Sequence, residues 1–191
     1  AVAADIGAST GGFTQVLLER GASRVYAVDS GRDQLAPQLR ADPRVCVMEG
    51  CNARGLSRGD IGTVDIVVMD VSFISQALLY PAVCDILREG GDFISLIKPQ
   101  FEVGREHIGG GGIVRDRRAR EAAVLHLLET AADFGLAARS LIRSPIEGGD
   151  GNIEYLALFT AAGSAQKLPD GWERRIKEVS GEDKKCCTDS E

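Results

Sequence analysis

Polar side chains follow several of the apolar runs in this sequence, at the point where each run ends. The carboxyl ends of parallel strands meet at one edge of a sheet, and ligands bind there in open α/β folds, so these side chains are expected to share one site. Carboxylates beside a lysine can bind a cationic ligand and move a proton. The residues concerned are Asp5, Asp29, Asn52, Asp70 and Lys98.

The first of these residues opens a glycine loop, Asp5-Ile-Gly-Ala-Ser-Thr-Gly-Gly-Phe13. An apolar run precedes the loop and a helical pattern follows it to Arg20, which is the order that opens a nucleotide-binding βαβ unit. Asp29, at the end of the next apolar run, is placed to accept both hydroxyls of a ribose. The alternative is a tight turn with a strand-capping aspartate. The predicted cofactor-binding residues are Asp5, Gly7, Ala8, Ser9, Gly11, Gly12, Phe13, Asp29, Asn52 and Asp70.

The spacing of the glycines distinguishes between cofactors. A dinucleotide fingerprint has glycine where this chain has Ser9, so the loop is not built for close approach of a pyrophosphate. S-adenosylmethionine carries an ammonium, a sulfonium and a ribose but no phosphate, and Asp5, Gly7 and Asp29 suit it better than they suit NAD. We therefore expect S-adenosyl-L-methionine as the cofactor. An NAD-dependent oxidoreductase is the alternative, and the lack of a catalytic histidine at a strand end also disfavours it.

Composition narrows the class of protein. The 191 residues suffice for one domain with a substantial core, and the formal net charge of −6 argues against a generic nucleic-acid binder. No apolar stretch approaches the roughly 20 residues that span a bilayer, so no stable membrane insertion is expected. The five cysteines form no C-x-x-C pair and neither histidine is near them in sequence, so no metal site is expected. Reduced cysteines predict a cytoplasmic protein.

Strand and helix patterns alternate along the chain, which predicts a doubly wound α/β sheet. The short loop 144–152 leaves no room for a crossover helix, so the last two strands are expected to pair antiparallel. The predicted fold is α/β, a class I S-adenosylmethionine-dependent methyltransferase (Rossmann-like) fold with a seven-stranded, mostly parallel sheet and an antiparallel last strand. Later strands are predicted at 44–48, 64–69, 93–97, 141–142 and 153–159, and helices at 34–40, 115–134 and 76–88, the last with Gly90 and Gly91 as its C-cap.

The predicted domain organisation is a methyltransferase domain over residues 1–162 and a C-terminal tail of weak periodicity over 163–191. Within the domain, the glycine-rich stretch 103–114 is expected to be a mobile lid or substrate rim. The end of the tail, 181–191, is predicted to be disordered. Since the chain begins inside a strand pattern, we expect that it lacks an N-terminal segment.

The residues after the fourth and fifth strands suggest which atom is methylated. Asp70 is followed by Val-Ser-Phe, without the proline clamp of enzymes that methylate exocyclic amines, and neither Cys51 nor Cys84 is placed to attack a pyrimidine carbon. Once nitrogen and carbon acceptors are set aside, an oxygen nucleophile remains. A ribose 2′-hydroxyl needs a base or an orienting cation in order to react, and Lys98 can supply either. Glu154, on the last predicted strand, is expected to approach Lys98. The simpler alternatives are an ordinary ion pair at a sheet edge and an exposed glutamate.

Four segments together resemble the TlyA family, haemolysins with an FtsJ-like methyltransferase domain: the glycine loop, Asp70-Val-Ser-Phe-Ile74, Leu96-Ile-Lys-Pro-Gln-Phe-Glu102 and Gly151-Asn-Ile-Glu154. The resemblance covers about residues 1–159. It implies an S-adenosylmethionine-dependent enzyme that methylates ribose 2′-hydroxyls of ribosomal RNA, with a ribosomal subunit as its partner. It also implies a Lys-Asp-Lys-Glu catalytic set, whose last three members match Asp70, Lys98 and Glu154.

This sequence departs from the family in two respects. It does not contain the segment before the first strand that carries the family's first catalytic lysine, or the family's small N-terminal RNA-binding domain. We therefore expect that the chain binds the cofactor but methylates poorly. The alternative function is a haemolysin-type membrane-active protein or a non-catalytic cofactor-binding protein, and the lack of a spanning segment and of a basic amphipathic helix disfavours the membrane-active form.

Overall fold

The computed structural model describes residues 1–148 and 151–181, which form a seven-stranded sheet flanked by helices. The strands are β1 (Val2–Ile6), β2 (Arg24–Asp29), β3 (Val45–Glu49), β4 (Val64–Met69), β5 (Leu87–Ile97), β6 (Leu136–Arg143) and β7 (Tyr155–Ala161). Their order across the sheet is β3-β2-β1-β4-β5-β7-β6. β7 is antiparallel to β5 and β6, and the other neighbouring pairs are parallel. The predicted fold class is therefore confirmed.

Helices cover both faces of this sheet. They are α1 (Gly12–Glu19), α2 (Pro37–Arg40), α3 (Arg58–Ile61), α4 (Tyr80–Ile86), α5 (Arg117–Asp133) and α6 (Trp172–Gly181). α1 and α2 contribute Leu17 and Leu39 to one core cluster, whereas α4, α5 and α6 contribute Val83, Leu127 and Val179 to the other. With both faces of the sheet covered, the strand ends are the natural place for a ligand.

The sequence explains these elements directly. β4 is the apolar run Val-Asp-Ile-Val-Val-Met, whose last three residues are buried, as expected of a parallel strand between two helical layers. α5 buries Val124, Leu127, Leu128 and Ala131, which follow the i, i+3, i+4, i+7 spacing of a helix with one apolar face. At its start, the Asp116 side chain accepts a backbone N–H two residues on at 2.8 Å, which caps the helix.

The prediction that Gly90 and Gly91 form the C-cap of a helix is wrong. α4 ends at Ile86, and both glycines lie within β5. The register of β4 against β5 shifts between Val64 and Ile66, so the glycines occupy an irregular stretch of the strand. Gly90 has a φ of +72°, which glycine adopts without strain, and this conformation accommodates the bulge.

The last two strands have different bounds from those predicted: β6 begins earlier and β7 begins later. β6 covers eight residues, whereas the sequence pattern predicted two. The strand lies at the edge of the sheet and its polar residues face outward, so only part of it shows an apolar pattern. β7 starts at Tyr155, so Glu154 lies directly before this strand rather than on it. Its carbonyl still accepts the Ser144 N–H at 2.8 Å, which continues the β6–β7 pairing by one step.

The tail contains a helix that its weak periodicity did not indicate. α6 buries Ile176 and Val179 against the core, and the Tyr155 hydroxyl lies 2.9 Å from the Ser180 hydroxyl. Gly181, predicted to begin a disordered end, is the last residue of α6, and residues 182–191 of that prediction lie outside the described residues. Among residues 1–148 and 151–181, no helix has the length and hydropathy needed to cross a bilayer.

Candidate active site

Two neighbouring cavities open at the carboxyl ends of the strands. The first, of about 570 Å³, is lined by the glycine loop and by residues after β2, β3 and β4, and we call it the loop cavity. The second, of about 520 Å³, is lined by residues after β5 and before β7, and we call it the lysine cavity. Ser72 and Phe73 line both, so the segment after β4 forms their common wall.

The predicted cofactor-binding residues divide into two groups. Five of them line the loop cavity: Gly7, Ser9, Asp29, Asn52 and Asp70. The others are not among its described wall residues: Asp5, Ala8, Gly11, Gly12 and Phe13. Asp5, Ala8 and Gly11 are buried, whereas Gly12 is exposed at the start of α1. Gly11 is the N-cap of α1, with a φ of 100°.

Gly7 allows the glycine loop to pass over the end of β4. Its φ is +83°, and an ideal Cβ at this position would lie 2.1 Å from the backbone oxygen of Asp70. Backbone hydrogen bonds fix this close approach, because the Gly7 N–H donates to the Val28 carbonyl at 2.8 Å and the Asp70 N–H donates to the Ile6 carbonyl at 2.9 Å. The position therefore requires a residue without a side chain.

Asp29 joins the two loops that line the loop cavity. Its Oδ2 accepts the backbone N–H of Ser9 at 2.8 Å, and its Oδ1 accepts the N–H of Gly31 at 2.7 Å. Each carboxylate oxygen has a second lone pair, so the side chain can still accept ligand hydroxyls from the cavity that it lines. The sequence indicated the ligand role but not this structural one.

Glu49, at the end of β3, organises the loop before α2. Its carboxylate pairs with Arg40 at 2.8 Å and accepts the backbone N–H groups of Asp33, Gln34 and Leu35. The Arg40 guanidinium and these backbone donors lower the pKa of Glu49 to about 2. Because Gln34 also lines the loop cavity, Glu49 holds one wall of it in place.

Asp5 is fully buried beneath the glycine loop. Burial raises its pKa from 3.8 to about 6, and the negative charges of Asp70 and Asp29 add to this rise, whereas hydrogen bonds from the hydroxyl and backbone of Thr14 oppose it. The Thr14 hydroxyl donates to Asp5 Oδ2 at 2.6 Å, while Oδ1 makes no hydrogen bond to a described residue. Asp5 is thus held as a poorly solvated carboxyl near the ligand edge.

We expect the raised pKa of Asp5 to make the cofactor-free protein less stable as pH rises. The folded protein binds the Asp5 proton more tightly than the unfolded chain does, so this stabilisation is complete below about pH 4 and is lost as pH rises through about 6. Between pH 5 and pH 8 the loss amounts to about 1.4 kcal/mol. Urea unfolding of wild type and Asp5→Asn at both pH values measures it. Equal pH dependence of the two proteins would contradict the assignment.

Asp70 and Lys98 meet where β4 and β5 end side by side. The Lys98 ammonium forms an ion pair with the Asp70 carboxylate and donates to the Ser72 hydroxyl at 3.2 Å. The lysine side chain is 15% exposed and the aspartate side chain is 36% exposed, so solvent reaches the pair mainly from the Asp70 side. Asp70 lines the loop cavity and Lys98 lines the lysine cavity, so the ion pair connects the two.

Glu154 lies in the same cavity as Lys98 but has a different direct partner. Its side chain is buried, with 6% of the residue exposed, and its Oε1 accepts a hydrogen bond from Gln100 Nε2 at 3.0 Å. The three residues of the predicted catalytic set therefore share one region: Asp70 and Lys98 in contact, and Glu154 across the lysine cavity. Sequence reasoning did not single out Gln100, although it lies in one of the motifs quoted above.

Asn152 anchors the glycine-rich stretch beside this cavity. Its Nδ2 donates to the Gly112 carbonyl at 3.0 Å, and its Oδ1 accepts the Val114 N–H at 3.1 Å. The buried Arg120 also donates to the Val114 carbonyl, at 2.7 Å. The end of the stretch that was expected to be a mobile lid is therefore held by buried side chains. Asn152 was missed as well; its place two residues before Glu154 was the available signal.

Phe73 projects from the wall between the cavities. It is 89% exposed and has a φ of +66°, a left-handed conformation that is uncommon for a bulky residue. Its ring lies 5.0 Å from that of Phe101, centroid to centroid, at the rim of the lysine cavity. Strained backbone conformations of this kind cluster at functional sites in proteins.

The described residues hold no group of three or more His, Cys, Asp or Glu side chains suited to a metal ion.

These features define the class of the protein. A glycine loop after β1, an acid at the end of β2 and an Asp–Lys pair after β4 and β5, on a sheet of this order, are those of an α/β methyltransferase. The chain matches the FtsJ-like methyltransferase family over residues 1–160 and belongs to that family.

Individual relatives confirm the resemblance to the TlyA family. The chain is 46% identical over 179 residues to the 16S/23S rRNA (cytidine-2′-O)-methyltransferase TlyA of Mycobacterium tuberculosis. This match covers 91% of this chain and 67% of that protein. It is 43% identical over 157 residues to Hemolysin A of Brachyspira hyodysenteriae, covering 81% of this chain and 65% of that one. The chain thus spans about two thirds of the length of these relatives.

A solved structure from Streptococcus thermophilus, provisionally described as a hemolysin, superposes on the chain with a TM-score of 0.88. It is 46% identical and covers 94% of this chain, which in turn covers 64% of that protein. At this level of identity and coverage, the agreement supports the backbone arrangement on which the two cavities depend.

Proposed function

We propose that the chain is the catalytic domain of an S-adenosylmethionine-dependent enzyme that methylates ribose 2′-hydroxyls of ribosomal RNA. The observation that carries this proposal is the Asp70–Lys98 ion pair, because one partner lines the loop cavity and the other lines the lysine cavity. A methyl donor in the first cavity and an acceptor in the second therefore face each other across a charged pair. An enzyme with this substrate works in the cytoplasm.

The loop cavity suits the proposed cofactor. Its volume is in the range of small-molecule sites, and the Asp29 and Asp70 carboxylates give it the negative charge that an ammonium and a sulfonium require. Asp29 has free lone pairs for the ribose hydroxyls, and Asn52 adds an amide at the same wall. When bound, S-adenosylmethionine supplies an electrophilic methyl group on sulfur.

The lysine cavity suits a nucleotide with an accessible sugar. Phe73 and Phe101 offer an aromatic surface at its rim, and unpaired bases of RNA stack on such side chains. The stacked base would carry its ribose toward Lys98. The TlyA relative from M. tuberculosis is named for methylation of cytidine 2′-oxygens in 16S and 23S rRNA, which agrees with this geometry.

Each of the four side chains near the lysine cavity has a role in the proposed methyl transfer. In the transfer, the 2′-oxygen forms a bond to the methyl carbon, the carbon–sulfur bond breaks with its electron pair on sulfur, and the hydroxyl proton passes to a base. The Lys98 ammonium first gives up a proton to solvent, and the resulting amine then holds the hydroxyl and takes its proton. Asp70 and Ser72 orient the lysine. Glu154 provides a second carboxylate in the cavity.

The position of the methyl group tests this proposal. The protein is incubated with ribosomal subunits and methyl-labelled S-adenosylmethionine, and the RNA is hydrolysed with alkali. A 2′-O-methyl group blocks attack of that oxygen on the phosphate, so the label should remain in alkali-resistant dinucleotides. Asp70→Asn should abolish labelling, whereas Asp92→Asn, at an exposed residue of β5, should not. Label in mononucleotides would indicate base methylation and refute the proposal.

A further inference from the structure

Gln100 is in direct contact with Glu154 and lies on the segment that carries Lys98. It occupies the middle of a 3₁₀ turn, Pro99–Phe101, that begins directly after the lysine. Backbone hydrogen bonds close the turn, from Phe101 N–H to the Lys98 carbonyl at 3.0 Å and from Val103 N–H to the Pro99 carbonyl at 2.9 Å. A side chain on so short and well-bonded a turn is held in a defined place.

The contact with Glu154 determines the orientation of the Gln100 amide group, that is, the positions of its oxygen and nitrogen. An ionised carboxylate can only accept hydrogen bonds, so the amide must present its NH₂ group to Glu154 Oε1, where the distance is 3.0 Å. The amide oxygen then points elsewhere; it is buried and makes no hydrogen bond to any described residue. A buried, unpaired carbonyl is unfavourable, and such exceptions in proteins call for an explanation, often a functional one.

The surroundings of Glu154 leave its carboxylate little freedom. An ideal Cβ on Gly148 would lie 2.2 Å from Glu154 Oε1, so the loop backbone packs directly against the carboxylate. The residue is only 6% exposed, and a buried charge needs hydrogen-bond donors. The carboxylate therefore sits between the Gly148 backbone on one side and the Gln100 amide on another.

Lys98 meanwhile has other partners, the Asp70 carboxylate and the Ser72 hydroxyl. The two carboxylates of the site are thus held by two residues of one short segment: Asp70 by Lys98, and Glu154 by Gln100. We infer that Gln100 is a positioning residue for methyl transfer, which orients Glu154 in the lysine cavity through the amide hydrogen bond. The inference rests on the proposed function, because it takes Glu154 to act in that reaction.

A double-mutant cycle on the natural protein tests the inference. Gln100→Met keeps the length of the side chain but removes the donor, so kcat for RNA methylation should fall roughly 10- to 100-fold. KM for S-adenosylmethionine should stay within about twofold, because Gln100 lines the lysine cavity. In a Glu154→Gln background the same substitution should change kcat by less than about twofold, since the residue acts through Glu154.

The chain offers a matched control. Gln15 donates to Glu19 at 2.8 Å on the exposed side of α1, and neither residue is among those that line the two cavities, so Gln15→Met removes the same kind of hydrogen bond outside them and should leave kcat unchanged. Wild-type kcat in Gln100→Met, or an equal loss in both backgrounds, would overturn the inference. A different outcome, Glu154→Gln as active as wild type or wild type that labels no RNA, would instead refute the catalytic set of the proposed function.

Discussion

Replacement of Lys98 by methionine is expected to lower RNA methylation by on the order of 10³-fold, within the range that a general base contributes. Binding of S-adenosylmethionine should change by less than about threefold, because the lysine belongs to the lysine cavity and not to the glycine loop, which we propose binds the cofactor. Single-turnover methylation and calorimetric titration of the same preparation measure the two effects. Lys167→Met, at an exposed lysine of the tail, serves as the matched control.

Lys98→Arg separates the two roles that a lysine can have here. Arginine keeps the positive charge and can still pair with Asp70, but it does not release its proton in proteins and so cannot act as a base. We expect this variant to be as inactive as Lys98→Met. Substantial activity in Lys98→Arg would show that the residue acts as an orienting cation. Loss of cofactor binding in either variant would contradict the assignment of Lys98 to the acceptor side.

The sequence was sufficient for the parts of the site that lie at strand ends. Apolar runs located β1, β2 and β4, and the residue after each run was placed by the topology of a parallel sheet. The same rule brought Asp70 and Lys98 together, because β4 and β5 are neighbours with Met69 opposite Ser95. Such residues can be predicted because their position depends on the order of strands and not on side-chain packing.

The parts that were missed depend on contacts between distant segments. The Asn152 side chain makes two hydrogen bonds, to residues 38 and 40 positions away, and Gln100 makes one to a residue 54 positions away, and no local pattern records such contacts. Gly90 was misassigned because a glycine after a helical pattern is compatible with a C-cap and with a bulge, and only the pairing of β4 with β5 decides between them. Tertiary pairing thus overrode a local signal.

Gly7 and Gly12 belong to the same glycine loop, but we expect opposite effects on stability when each is replaced by alanine. Gly7→Ala should destabilise the protein by roughly 2–4 kcal/mol, since its φ of +83° disfavours a Cβ and the added atom would lie 2.1 Å from the Asp70 backbone oxygen. The backbone of one strand end would have to move. Because that displacement acts on Asp70 itself, both cofactor binding and methylation should fall by at least about tenfold.

Gly12→Ala should behave in the opposite way. Gly12 begins α1, and an ideal Cβ there meets no heavy atom within 4 Å. Alanine at a compatible helical position reduces the conformational freedom of the unfolded chain and should stabilise the protein by about 0.4–1 kcal/mol. Urea unfolding and calorimetric titration with S-adenosylmethionine compare the two variants. If Gly12→Ala lost cofactor affinity as Gly7→Ala does, the ligand would have to contact the start of α1, which is not among the described walls of the loop cavity.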